Sequence, residues 1–269
     1  MEGAGAGTES KHNYHFDPVK HRYTIDGTRV PGVSTIAKVY DHSRPMMYWA
    51  ANMVVQHMAD NVAFLSNGTA AYRLPDGRTI PLNEDNYKRI FALAQTAHET
   101  FTKAAADRGN RLHDACHKFS LNEPQEIDAD IQDQFDDFRR WCEKFKMRPL
   151  YTERRVFCEK YMFAGQFDLM CMLTIPDRGE VCYLIDYKTS KRVYDSHITQ
   201  SGGYKIAHDN QFGPMIDEIG VLVMPQVGTG LIWADLAGQS EAIESSFLAC
   251  LALYQGMKPI AALARRLNK

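Results

Sequence analysis

The sequence predicts an α/β protein. Three observations carry this. Residues 150–158, 161–173 and 180–187 read as consecutive strands, apolar and aromatic, with turn chemistry at Pro176-Asp177-Arg178-Gly179. Before them lies an amphipathic helix over 128–147, with Ile131, Phe135, Phe138, Trp141 and Phe145 on one face. After them a helix over 195–210 crosses to further strands at 218–224 and 230–235, giving the order αβββαβ. At 269 residues, 45% of them hydrophobic, the chain can build one large domain or two small ones.

The elements follow in order. Met1 to Ser10 has neither an apolar core nor an arginine-rich face, so 1–11 reads as a disordered tail with no targeting signal. Residues 12–31 read as a hairpin, with a turn at His15-Phe16-Asp17-Pro18, a strand at Arg22–Ile25 and a tight turn at Asp26-Gly27. Ser34 is placed to cap a short helix to Tyr40. Pro45 suits the first turn of a second helix, whose Met46, Trp49, Met53, Val54 and Met58 read as a core stripe in preference to a DNA-contacting one. That helix is expected to end before Asn67-Gly68. Leu74 to Pro81 makes a hairpin or exposed loop. From Asn83 a helix is expected to run to Phe119 with a break near Gly109. Pro149 follows the 128–147 helix and ends it. A last helix starts at Gln239, bends at Pro259 and ends in Arg265-Arg266. The expected division is a tail (1–11), a hairpin and helical region packed on the core (12–107), and the core (108–269).

The formal net charge is −2, so no whole-chain basic signature marks a nucleic-acid binder. Basic residues are instead local: Arg108, Arg111, Lys188, Lys191, Arg192 and Lys205. The six cysteines form no C-x-x-C pair and read as buried free thiols in a reducing, cytoplasmic setting. No uninterrupted run of about 20 apolar residues occurs, so no membrane span is expected.

Chemistry concentrates between Gly165 and Ser190. Asp186 and Lys188 are two apart in a strand, hence on one face and about 7 Å apart along it. If the two strands pair, Asp168 reaches the same spot. Two carboxylates that close repel, and a hard divalent cation removes the conflict. An internal Asp–Lys ion pair is the plain alternative. Gln200 and Tyr204, four apart, share a helix face, although Gly202-Gly203 between them are poor helix formers. His113-Asp114-Ala115-Cys116-His117 has the His-x-x-x-His spacing of zinc hydrolases but lacks glutamate after the first histidine.

Four motifs in this order resemble the PD-(D/E)XK nuclease superfamily, in its RecB-like branch. They are Arg108-Gly109-Asn110-Arg111-Leu112-His113, Gly165-Gln166-Phe167-Asp168, Asp186-Tyr187-Lys188-Thr189 and Gln200-Ser201-Gly202-Gly203-Tyr204. With Val30-Pro31-Gly32-Val33-Ser34-Thr35, the layout is similar to the mitochondrial genome maintenance exonucleases and small phage exonucleases. The resemblance implies a restriction-endonuclease-like core, a mixed sheet flanked by helices, with an N-terminal hairpin and helical elaboration. It implies Mg²⁺ or Mn²⁺ held by Asp168, Asp186, the Tyr187 carbonyl and His113, with Glu153 left open between site and solvent. Lys188 would position water, Gln200 and Tyr204 would line the site, and Arg108, Arg111, Lys191, Arg192 and Lys205 would meet DNA. His117, one turn past His113, is expected to be dispensable. Some RecB-like nucleases carry an iron–sulfur cluster on C-terminal cysteines; only Cys250 lies past the site, so none is expected. The implied function is an exonuclease on single-stranded DNA ends in replication, recombination or repair, in a bacterial or phage-infected cytoplasm. An annealing or replication protein would be a partner. The alternatives are a structure-specific endonuclease and a DNA-binding recombination factor with a vestigial site.

Overall fold

The computed structural model describes residues 12–40, 43–65, 69–226 and 230–268. The expected 1–11 tail lies outside them; the helix expected to end before Asn67-Gly68 ends at Asn61. The chain divides into two compact units, one of residues 1–41 and 111–269, the other of residues 42–110. This differs from the expected division, because the N-terminal strands group with the sheet.

In the first unit, β1 (Tyr14–Asp17), β2 (Arg22–Ile25) and β3 (Thr28–Val30) form a three-stranded meander. The expected turn at His15–Pro18 is strand instead. The reversal comes one step later, where the Asp17 carboxylate accepts from the Val19 and Lys20 N–H groups, both at 3.0 Å. The meander joins the core through Ala164 N–H, which donates to the Pro31 carbonyl at 3.1 Å, and through Tyr23, Ile25 and Val30 packed on Phe157 and Ala164. The short helix α1 (Val33–Ala37) follows without a side-chain cap from Ser34.

The second unit holds α2 (Ser43–Asn61), the small sheet of β4 (Val62–Phe64), β5 (Ala70–Arg73) and β6 (Thr79–Pro81), and α3 (Tyr87–Gln95). The α2 stripe is not a buried core: Trp49 is 36% exposed, and Met53, Val54 and Met58 are only half-buried. The side chain of Met46 lies outside the described residues. Helix α4 (Ala97–Ser120) runs across the border between the units. The expected break near Gly109 is absent, and Gly109 sits inside α4. The interruption falls at Thr96, whose hydroxyl donates back to the Ala92 and Leu93 carbonyls and closes α3.

Beyond α4 come α5 (Gln132–Lys144), β7 (Arg148–Cys158), β8 (Phe163–Ile175), β9 (Gly179–Lys188), α6 (Asp195–Phe212), β10 (Glu218–Val223), β11 (Ile232–Asp235) and α7 (Ser240–Leu267). The sheet order is β11-β10-β9-β8-β7, parallel only between β9 and β10. The mixed sheet follows from connection length. Turns join β7, β8 and β9 antiparallel, while α6 carries the chain across to a parallel β10. One face packs against α1, α6 and α7 through Val33, Tyr204, Ala207 and Phe247. The other packs against α5 and the end of α4 through Leu112, Cys116, Phe138 and Trp141. All six cysteines are buried and unpaired. Gly202 and Gly203 let α6 close on α7; a Cβ on Gly203 would sit 2.4 Å from the Phe247 ring.

Helix α7 runs through Pro259 and is, by length and composition, apolar enough to cross a membrane. The expectation of no such segment counted only uninterrupted apolar residues; here Gln, Gly and a single Lys interrupt a stretch that stays apolar on average. Its first half packs into the core through Ile243, Phe247, Cys250 and Leu251.

Candidate metal centre

The site forms where two strands part. The β8–β9 ladder ends at Leu169↔Ile185, and one further step in that register sets Asp168 beside Asp186. On the other side the β7–β8 ladder passes from Thr152↔Leu169 to Arg154↔Phe167, leaving Glu153 across from Asp168. Three carboxylates therefore share one rung. Two-residue alternation also slips here: Phe167 packs toward α6 and α7, whereas Leu169 packs toward α4 and α5. Glu153 takes a left-handed φ of 49°, uncommon outside glycine. The slip frees the Tyr187 N–H from the ladder, and Asp168 Oδ2 accepts it at 2.5 Å.

Helix α4 brings His113 to this rung, with Nδ1 3.2 Å from Asp168 Oδ1. Ligand atoms of His113, Glu153 and Asp168 all lie within 4.8 Å of one another. Asp186, only 2% exposed, faces the Lys188 ammonium through Oδ2. Its Oδ1 receives a long bond from Gln200 Nε2 at 3.4 Å, and the same amide donates to the Tyr204 hydroxyl at 2.6 Å. The two strands thus present separate but adjoining halves. One holds His113, Glu153 and Asp168; the other holds Asp186, Lys188, Gln200 and Tyr204.

The electrostatics follow from burial and neighbours. Burial pushes the Asp186 carboxyl up to about 7; nearby Asp168 adds to this and Lys188 opposes it. Burial and Asp168 likewise raise Glu153. Burial would raise Asp168 too, but His113, Lys188 and the Tyr187 N–H outweigh it and hold it below the usual carboxylate range. Burial would lower His113, and the Asp168 carboxylate overrides that to raise it. One strongly ionised acid thus sits between two that resist ionisation, because all three cannot be negative together in a largely buried place.

Three supporting contacts escaped the sequence reading. Gln166 Nε2 donates to Glu153 Oε2 at 2.5 Å. Its position two residues before Asp168 was the available signal, since alternation puts both on one side. Thr152 donates its hydroxyl to the Asp168 carbonyl at 3.0 Å and lies 2.9 Å from His117 Nδ1. A hydroxyl has one proton, so His117 must donate from Nδ1, leaving Nε2 as the acceptor. His117 is therefore tied through Thr152 to the Asp168 strand, a contact that the expectation of a dispensable residue did not include. No local pattern announces that contact.

The cations predicted to meet DNA are dispersed. Arg111 is clasped by Asp128 and Asp130, at 2.5 and 2.7 Å, and Lys205 lies between Asp209 and Glu244, at 2.7 and 3.2 Å. Both are held by carboxylates of this chain. Arg108 belongs to the second unit and is buried. Lys191 and Arg192 are exposed on the loop after β9, with Arg192 over the Tyr194 ring at 5.1 Å.

No protein-family model and no curated protein matches the chain. Among solved structures it is similar to one titled "Crystal structure of SSO0001", at 13% identity and a TM-score of 0.26 over 45% of this chain. The similarity spans 57% of that structure's chain.

Proposed function

We propose that this protein is a metal-dependent nuclease of the PD-(D/E)XK type, cleaving phosphodiester bonds at single-stranded DNA ends. The observation that carries the reading is the gathering of His113, Glu153 and Asp168 within 4.8 Å, beside the Asp186–Lys188 pair. The donor set suits a divalent cation: carboxylates in excess of local positive charge, two of them held protonation-prone by burial and, to a lesser extent, by the neighbouring Asp168. One imidazole among oxygens favours Mn²⁺ at least as well as Mg²⁺. The sheet order, with three antiparallel strands and a parallel fourth after a crossover helix, is consistent with a restriction-endonuclease-like core.

His113, Glu153, Asp168 and Asp186 would hold the ion, with the Tyr187 main chain kept close by its bond to Asp168. When bound, the ion lowers the pKa of water and withdraws charge from a phosphate oxygen. Lys188 then has two tasks: to balance Asp186 and to orient the attacking water by donating a hydrogen bond. Gln200, braced by Tyr204, limits the rotation of the Asp186 carboxylate. The zinc-hydrolase alternative requires both His113 and His117 as ligands, but His117 is turned to Thr152. The vestigial alternative leaves unexplained why a 2%-exposed carboxylate persists beside a lysine.

The test uses end-labelled single-stranded, duplex and closed circular DNA with Mg²⁺ or Mn²⁺. Degradation of linear single strands, lost in Asp186→Ala, is the expected result. Rapid nicking of closed circles moves the protein to the endonuclease alternative. Undiminished cleavage by Asp186→Ala refutes the site.

A further inference from the structure

We infer that a basic trough beside the metal centre, running over β2 and β3 to α7, seats the single-stranded nucleic acid that the site acts on; this rests on the nuclease reading. Two cavities compose it. The first, of about 190 Å³, is walled by His21, Tyr23, Ser34, Glu153, Gln166 and Tyr204, so it opens beside the carboxylate rung. The second, of about 460 Å³, shares His21, Tyr23, Gly32 and Ser34 with the first and adds Arg22, Arg29, Tyr254 and Lys258. Their common wall makes them one path leading away from the acids.

Three cations stand along this path, whereas several elsewhere on the surface are paired. Arg78, Arg111, Arg139, Arg140, Arg178 and Lys205 are all engaged by carboxylates. Among the described residues Arg22, Arg29 and Lys258 make no ion pair, and all three are exposed. Asp17, opposite Arg22 in the ladder, directs its carboxylate to the Val19 and Lys20 N–H groups instead. Three cations from three elements thus converge on one concavity with their charge unanswered. Rings accompany them: His21 meets Tyr23 edge-on at 6.0 Å, and Tyr254 carries the Lys258 ammonium 5.7 Å from its centre. Unpaired cations interleaved with aromatic faces suit a flexible strand, whose phosphates meet the cations while its bases stack. The acidic end would take the scissile phosphate with its cation, and the basic end the flanking phosphates.

The test measures binding of a labelled oligothymidylate by fluorescence anisotropy against salt, in the non-cutting Asp186→Asn protein. The trough variant adds Arg22→Gln, Arg29→Gln and Lys258→Gln. A charge-matched control instead adds Arg139→Gln, Arg140→Gln and Lys144→Gln on α5. Removing three phosphate contacts should flatten the log–log salt slope by about 2 and weaken binding about 100-fold at 0.1 M salt, from ~0.7 counterions released per contact. Arg29→Gln or Lys258→Gln alone should each cost about fivefold on the same basis, which keeps the test valid if the triple variant misfolds. The control should bind as the parent does. Equal weakening of trough and control variants, or an unchanged trough variant, overturns the inference. Wild-type cleavage with Mn²⁺ is scored separately. Cleavage with an unaltered trough variant leaves the nuclease reading intact and removes the trough. Absence of cleavage with trough-dependent binding removes the nuclease reading and keeps the trough as a strand-binding surface.

Discussion

Gly165→Ala tests whether packing behind the carboxylates matters to the site. A Cβ at Gly165 would lie 2.6 Å from Tyr204 Cε1, 3.0 Å from Tyr204 Cδ1 and 2.9 Å from Val33 Cγ2. Normal carbon contacts need about 3.5 Å or more, so the ring must retreat by roughly 0.9 Å. It has little room, because Val33 is fully buried and Tyr204 is 5% exposed. Overpacking of this kind costs about 1–3 kcal/mol. For a unit of this size that lowers Tm by roughly 2–12 °C at ~2–4 °C per kcal/mol. Retreat of the ring also disturbs the 2.6 Å bond between the Tyr204 hydroxyl and Gln200, and with it the hold on Asp186. A displacement near 1 Å in a supporting group can reduce a rate by about 100-fold. The assay is differential scanning calorimetry together with Mn²⁺-dependent cleavage of labelled single strands, rated per folded molecule. A Tm within about 1 °C of wild type refutes the packing argument. Lowered Tm with a full rate per folded molecule refutes the role given to Tyr204.

His113→Ala should remove Mn²⁺ binding, measured by calorimetric titration, with less effect on Tm. His117→Ala and Thr152→Val should match each other in a smaller, roughly tenfold loss, since both act through the Asp168 strand; wild-type rates in both would refute that chain of contacts. The pH dependence has a definite sign. The folded, metal-free protein binds more protons than the unfolded chain between an ordinary carboxylate pKa of about 4 and the raised value of about 7 at Asp186. Its stability should therefore fall as pH rises through that window, by at most about 4 kcal/mol from this group. His113, also raised, loses its contribution in the same direction as pH passes its folded pKa. Urea melts should show a shallower fall in Asp186→Asn, and an equal fall would count against the raised carboxyl. Mn²⁺ affinity should strengthen through pH 7 as Asp186 releases its proton. Arg111→Ala should leave oligonucleotide affinity within about twofold, because Asp128 and Asp130 already hold that guanidinium.

Much of the site was legible without the structure. Alternation alone puts Asp186 and Lys188 on one side of a strand, and helical spacing alone puts Gln200 over Tyr204. These are relations within one element, fixed by backbone geometry over a few residues. The same local rules gave the α/β class, since strand and helix periods differ. They failed where two periods had to be compared across space. Alternation could not say that Glu153 joins the rung, because β7 and β8 slip together at Glu153 and Asp168. Spacing could not separate His113, aimed at Asp168, from His117, aimed at Thr152. Charge counting could not know that Asp128 and Asp130 would occupy Arg111, or that Arg22, Arg29 and Lys258 would face one hollow from three elements. A sequence carries the face a residue takes on its own element; only packing between distant elements sets which faces meet, and a contact over a few ångströms depends on that meeting.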